Sequence, residues 1–145
     1  MDTIKQARYD DMYMDIAKRV SEMSYDTDTK VGAIIVKDGN IISMGWNGTP
    51  PGFPNECKHP STGATLPYVI HAEANAITKL ARTGGNGSDA VLYTTLAPCM
   101  ECTKLILQSG ISEVIIDKAD ERYMDSYGIL KEKGMVRLCK SISNN

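Results

Sequence analysis

From Tyr9 to Met23 the apolar residues fall at Tyr9, Met12, Tyr13, Ile16, Val20 and Met23, with Asp10, Asp15, Lys18 and Arg19 on the polar side. That spacing lines up one buried face of a helix, so the first element predicted is an amphipathic helix. Val31 to Val36 is an unbroken apolar run, followed by Lys37-Asp38-Gly39-Asn40 and a second run, Ile41-Ile42-Ser43-Met44. Asp-Gly between two such runs predicts a β-hairpin. The pattern then breaks: Thr49 to Tyr68 holds five of the six prolines, at positions 50, 51, 54, 60 and 67. Proline cannot donate to a helix or a strand ladder, so this stretch predicts a long irregular loop. Loops of that length inside compact domains are usually functional or disordered. Lying just before His71, it is expected to cover a site there or to carry a regulatory contact, the alternative being a solvated insertion.

Regular alternation resumes beyond the loop. His71 to Arg82 predicts a helix, rich in alanine with Ile77 and Leu80 at packing spacing. Thr83-Gly84-Gly85-Asn86-Gly87 ends it, and Ala90 to Thr94 predicts a strand. Cys99 opens a second helix that runs to Gly110. Glu113 to Ile116 predicts a strand, Tyr123 to Lys133 a helix, and Met135 to Cys139 a last strand before a polar, fraying tail from Lys140 to Asn145. A hairpin followed by alternating helix and strand predicts an α/β sheet with helices on both faces.

A chain of 145 residues is expected to form one domain, residues 1–145, with a real core. Its net charge of −2, with 16 basic and 18 acidic residues, shows no basic stripe for a long nucleic acid. The balance favours a small ligand. No stretch approaches the roughly 20 apolar residues needed to cross a bilayer, and Met1 to Asp11 lacks a signal-peptide core. A cytoplasmic protein with no membrane partner is therefore expected. In a reducing compartment the four cysteines favour metal over disulfides.

The chemistry is concentrated in His71-Ala72-Glu73 and Pro98-Cys99-Met100-Glu101-Cys102. One imidazole and two thiolates make three protein ligands for a zinc ion, the number used when a fourth position holds water. Such a water becomes acidic, with a pKa that can fall to about 7. Cys99 and Cys102, three apart, share one face of a helix. Both ligand segments fall near helix starts, whose field favours thiolate. Glu73 is placed to move protons without being a ligand. On an ideal helix, however, positions 71 and 73 point about 200° apart. Either Glu73 approaches from another direction or the first turn is distorted. A closed structural site, with Cys57 or His59 as fourth ligand, is the competing arrangement. Cys57 and His59 read otherwise as a metal-free pair, and Cys139 as a small buried hydrophobe.

H-x-E followed by P-C-x-x-C is the signature of zinc-dependent nucleobase deaminases. Together with Val31-Gly32-Ala33-Ile34-Ile35-Val36, Gly45-Trp46-Asn47-Gly48-Thr49-Pro50 and Pro67-Tyr68-Val69-Ile70 before the histidine, the chain resembles the deoxycytidylate (dCMP) deaminase family from Lys30 to Lys133. The resemblance implies a three-layer α-β-α, cytidine deaminase-like fold on a mixed five-stranded sheet. It also implies one Zn2+ per chain, a homohexamer, and hydrolysis of dCMP to dUMP and ammonia in dTMP supply. Glu73 is implied as the catalytic residue, with Asn47 on the deoxyribose hydroxyl and the Ala72 backbone on the pyrimidine edge. Ala97 and Pro98 join the substrate-binding set, Tyr123 stacks on the base, and Arg122 and Lys30 are the phosphate candidates. Activation by dCTP and inhibition by dTTP are implied through Gly45, Trp46, Gly48 and Thr49, with Mg2+ accompanying a triphosphate. In so compact a chain dCTP is also a candidate substrate. The competing functions are deamination of tRNA, which the charge balance disfavours, deamination of a free nucleoside, and a non-catalytic zinc-stabilised nucleotide sensor, which leaves Glu73 without a role.

Overall fold

The computed structural model describes residues 2–139. Helix α1 (Thr3–Ser21) leads into a hairpin of β1 (Gly32–Lys37) and β2 (Asn40–Trp46). Then come α2 (Ala72–Arg82), β3 (Val91–Leu96), α3 (Met100–Gln108), β4 (Glu113–Lys118), a 3-10 turn (Glu121–Tyr123), α4 (Met124–Glu132) and β5 (Val136–Leu138). The five strands form one sheet in the order β2-β1-β3-β4-β5. β1 is antiparallel to both β2 and β3, whereas β3, β4 and β5 run parallel, so the sheet is mixed. At the hairpin tip Asp38 and Gly39 both have positive φ, 51° and 76°, the backbone a two-residue turn needs to match strand twist.

Residues of β1 explain the layering. Ala33 and Ile35 point to one face and pack with Ala72, Ala76 and Leu80 of α2, Ile106 of α3 and Leu130 of α4. Ile34 and Val36 point to the other and pack with Tyr13, Met14, Ala17 and Val20 of α1. With both faces covered, the strand has no polar side, which is why it reads as a continuous apolar run. The three-layer α/β arrangement follows.

Several boundaries shift, each for a local reason. The first helix begins at Thr3 rather than Tyr9, because the Asp2 carboxylate accepts the Lys5 N–H at 2.9 Å and caps two turns that lack apolar periodicity. Met23 falls outside it and is exposed. His71 and Cys99 are the caps of α2 and α3, not helical residues. Tyr123 belongs to the 3-10 turn, and the last strand is confined to Val136–Leu138. The expected fraying tail, 140–145, lies outside the described residues.

Candidate metal centre and substrate pocket

His71 stands just before α2 with φ −67° and ψ 156°, and Cys99 just before α3 with φ −70° and ψ 174°. Both are extended, and neither side chain caps its helix, so the ring nitrogen and the sulfur remain free to face each other. His71 Nδ1 lies 3.4 Å from Cys99 Sγ and 3.4 Å from Cys102 Sγ. Among the described residues these three form the one group of at least three such donors close enough to hold a metal ion, all within 4.8 Å of one another.

The donors fit zinc. With Zn–S near 2.3 Å and Zn–N near 2.05 Å, a tetrahedral ion separates sulfur from nitrogen by about 3.6 Å. The charge balance also asks for a cation. Hydrogen bonds with Cys102 and His71 draw the Cys99 thiol far below its ordinary value. Cys102 is pushed up, first by its hydrogen bond with Cys99 and then by burial. Two sulfurs this close to each other ionise together only beside a counter-charge, which a divalent ion supplies. Cys57 and His59 do not join the trio. Cys57 is buried in the proline-rich segment, and His59 is exposed with Nδ1 accepting the N–H groups of Ser61 and Thr62.

The position of Glu73 follows from the cap. Because His71 is extended, positions 71 and 73 are not related by helical rotation, and the carboxylate enters beside the donors from the first turn of α2. It is 4% exposed. Burial raises its pKa above the usual carboxylate range, against the opposing pull of Cys102, His71 and Thr94. The Thr94 hydroxyl lies 3.1 Å from Glu73 Oε1 and 3.0 Å from the Leu96 carbonyl. With one proton to give, it can donate to the carboxylate, or donate to Leu96 and accept from the carboxylic acid. Nothing in the sequence pattern marks Thr94, which looks like any β-branched strand residue; strand alternation sets it on the α2 face with Leu92.

His71, Glu73 and Cys99 line a cavity of about 140 Å³. Ala72, Ala97, Asn47, Arg122 and Tyr123, all expected at the site, also line it. Ala72 is the first residue of α2, where an N–H has no partner within the helix. The Asn47 amide is fixed on both sides, its Oδ1 accepting from Val31 N at 2.9 Å and its Nδ2 donating to Thr29 O at 2.8 Å. Arg122 is paired with Asp120 at 2.7 Å, its guanidinium 5.0 Å from the Tyr123 ring centre. Cys102 and Pro98 are buried and do not line the cavity; instead of facing a substrate there, the Pro98 carbonyl accepts the Ser126 hydroxyl at 3.1 Å, anchoring α4. Lys30 is exposed and does not line the cavity.

The proline-rich segment is irregular but tied down. Gly48 and Ile70 exchange backbone hydrogen bonds of 3.1 and 2.8 Å at its base, and Lys58 bridges to Thr65 across it. It brings Lys58 and Thr65 to the cavity, neither of which the sequence pattern singled out, and Val69 just after it lines the cavity too. Trp46, Gly48 and Thr49 instead line a second cavity of about 380 Å³ with Lys79, whose ammonium sits 4.4 Å from the Trp46 ring centre. Gly45 is different: a Cβ there would meet Ala72 O at 2.5 Å and Ala76 N at 2.6 Å, so this glycine lets β2 touch α2.

Comparison with known proteins agrees with this geometry. The family model for the cytidine and deoxycytidylate deaminase zinc-binding region matches residues 7–118. The deoxycytidylate deaminase of Enterobacteria phage T4 is 36% identical over 142 residues, covering 70% of this chain and 74% of its own. The human deoxycytidylate deaminase is 37% identical over 121 residues, covering 79% of this chain and 66% of its own. The crystal structure of dCMP deaminase from the cyanophage S-TIM5, in complex with dCMP and dUMP, superposes with a TM-score of 0.83 at 36% identity, covering 95% of this chain and 98% of its own.

Proposed function

The chain belongs to the cytidine and deoxycytidylate deaminase family, and we propose on that premise that it hydrolyses dCMP to dUMP and ammonia. The observation that carries the reading is the buried Glu73 carboxyl beside a three-donor site at the end of a cavity. His71, Cys99 and Cys102 would hold zinc, which when bound supplies the Lewis acidity that makes a water nucleophilic near neutral pH. Glu73 takes the proton of the attacking water, delivers it to the ring nitrogen, and later protonates the departing amine. Thr94 keeps a hydrogen bond to that carboxyl in both protonation states. Ala72 N–H holds the pyrimidine edge, Tyr123 stacks on the ring, Asn47 meets the sugar, and Arg122 faces the phosphate. Ala97 shapes the cavity wall.

Residues 1–145 act as one deaminase domain, assembled as a homohexamer in the cytoplasm. Activation by dCTP and inhibition by dTTP act through the cavity beside Trp46, Gly48 and Thr49, with Mg2+ on the triphosphate. No helix among the described residues is long and apolar enough to cross a membrane. Ammonia release from dCMP, dCTP, deoxycytidine and CMP, with and without dTTP, tests substrate and regulation together. The reading predicts turnover of dCMP well above deoxycytidine, and the reverse order refutes it.

A further inference from the structure

Besides the His71 imidazole, the residues lining the catalytic cavity include two cations, Arg122 and Lys58. Arg122 is largely exposed and held by Asp120. Lys58 is 20% exposed and reaches the cavity from the proline-rich segment. Its Nζ donates to Thr65 Oγ1 at 2.6 Å, lies 3.3 Å from Asp26 Oδ2 and 3.6 Å from Asp28 Oδ2.

The two carboxylates are not equivalent. Asp26 is buried, and its Oδ1 accepts the N–H groups of Asp28 and Thr29 at 2.8 and 2.9 Å, so it is fixed. Asp28 is 67% exposed and stands beyond good hydrogen-bond distance of the ammonium. It is the partner an anion can replace. A half-enclosed ammonium with one permanent and one exchangeable counter-charge is suited to a ligand that brings its own negative group.

We propose that Lys58 recognises the 5′-phosphate of the substrate, and that Asp28 occupies the ammonium until the phosphate displaces it. The inference rests on the dCMP reading and names the group that separates nucleotide from nucleoside. Loss of a charge-assisted hydrogen bond to phosphate corresponds to about tenfold to a hundredfold in affinity.

The test is steady-state kinetics of the zinc-loaded enzyme on dCMP and deoxycytidine, for wild type, Lys58→Met, Lys58→Arg and Asp28→Asn. Lys58→Met lowers the ratio of kcat/KM for dCMP to that for deoxycytidine by about tenfold or more, through KM. Lys58→Arg restores most of the ratio, and Asp28→Asn lowers KM for dCMP by removing the competing charge. Equal losses on both substrates in Lys58→Met would make Lys58 a structural tie of the loop and overturn the proposal. An unchanged or raised dCMP KM in Asp28→Asn, whose side chain is too exposed to threaten folding, overturns it independently. A wild type that favours deoxycytidine brings down the substrate reading and this inference together, a pattern distinct from either failure above.

Discussion

Glu73→Gln separates chemistry from stability more cleanly than any other single change. The side chain is 4% exposed and its carboxyl has one hydroxyl neighbour, Thr94, at 3.1 Å. The Glu73 carboxylate is a negative charge in a low-dielectric site, offset only in part by Cys102, His71 and Thr94. Burial accordingly raises its pKa. The amide has the same shape, still accepts from Thr94, and carries no charge to desolvate. Relief of that penalty is expected to stabilise the folded protein by about 1 kcal/mol, or about 3–5 °C in Tm. Turnover falls in the opposite direction, because a positioned acid–base group contributes about 10²- to 10⁴-fold. Zinc content, denaturation and ammonia release are measured on the same preparation. The expected result is full zinc, a raised Tm and a rate down by at least a hundredfold. A variant that keeps its rate ends the proton-carrier role, and one that loses zinc shows Glu73 to be a ligand instead.

Removing zinc with a chelator should abolish turnover and lower Tm, and Cys102→Ala should do both permanently, since α2 and α3 are then no longer joined at their starts; an unchanged melting curve after verified metal loss would contradict this. Gly45→Ala should cost about 3 kcal/mol or more, because the added carbon meets backbone atoms of α2 at 2.5 and 2.6 Å and must push the His71–Glu73 segment away. A wild-type denaturation midpoint would show that β2 and α2 separate freely. At the other side of the sheet, Asp10 accepts Tyr93 OH at 2.6 Å and Arg137 Nη1 at 2.5 Å. Burial raises the Asp10 pKa, but the bonds from Arg137, Tyr93 and Gln6 prevail and leave it below its ordinary value of 3.8. Its contribution is therefore fully present above about pH 4 and disappears as pH falls through the lowered folded value. Asp10→Asn should cost about 1–2 kcal/mol at neutral pH, discounted for the half-exposed Arg137, and flatten the acid limb of the stability curve. Parallel pH profiles for the two proteins would count against it.

What the sequence determined by itself is the chemistry and the layering. His71, Glu73, Cys99 and Cys102 are close in the chain within two short segments, so their residue types and spacing name a metal site before any fold is known. The unbroken apolar runs of β1 and β4 mark strands covered on both faces, because a strand with a wet side must alternate. Tertiary structure decided the rest. The extended backbone of His71 and Cys99 depends on where two helices happen to begin, and that dissolved the helical-wheel conflict between His71 and Glu73. Thr94 meets Glu73 across 21 residues, and Lys58 in the loop meets Asp26 from the turn after α1 across 32. Irregular segments carry no period that says which way a side chain faces, and a lone lysine or threonine has no spacing partner to give it away. Only when the sheet sets β1, β3 and the start of α2 side by side do the 24–30 turn, the proline-rich loop and the metal donors come to share one cavity.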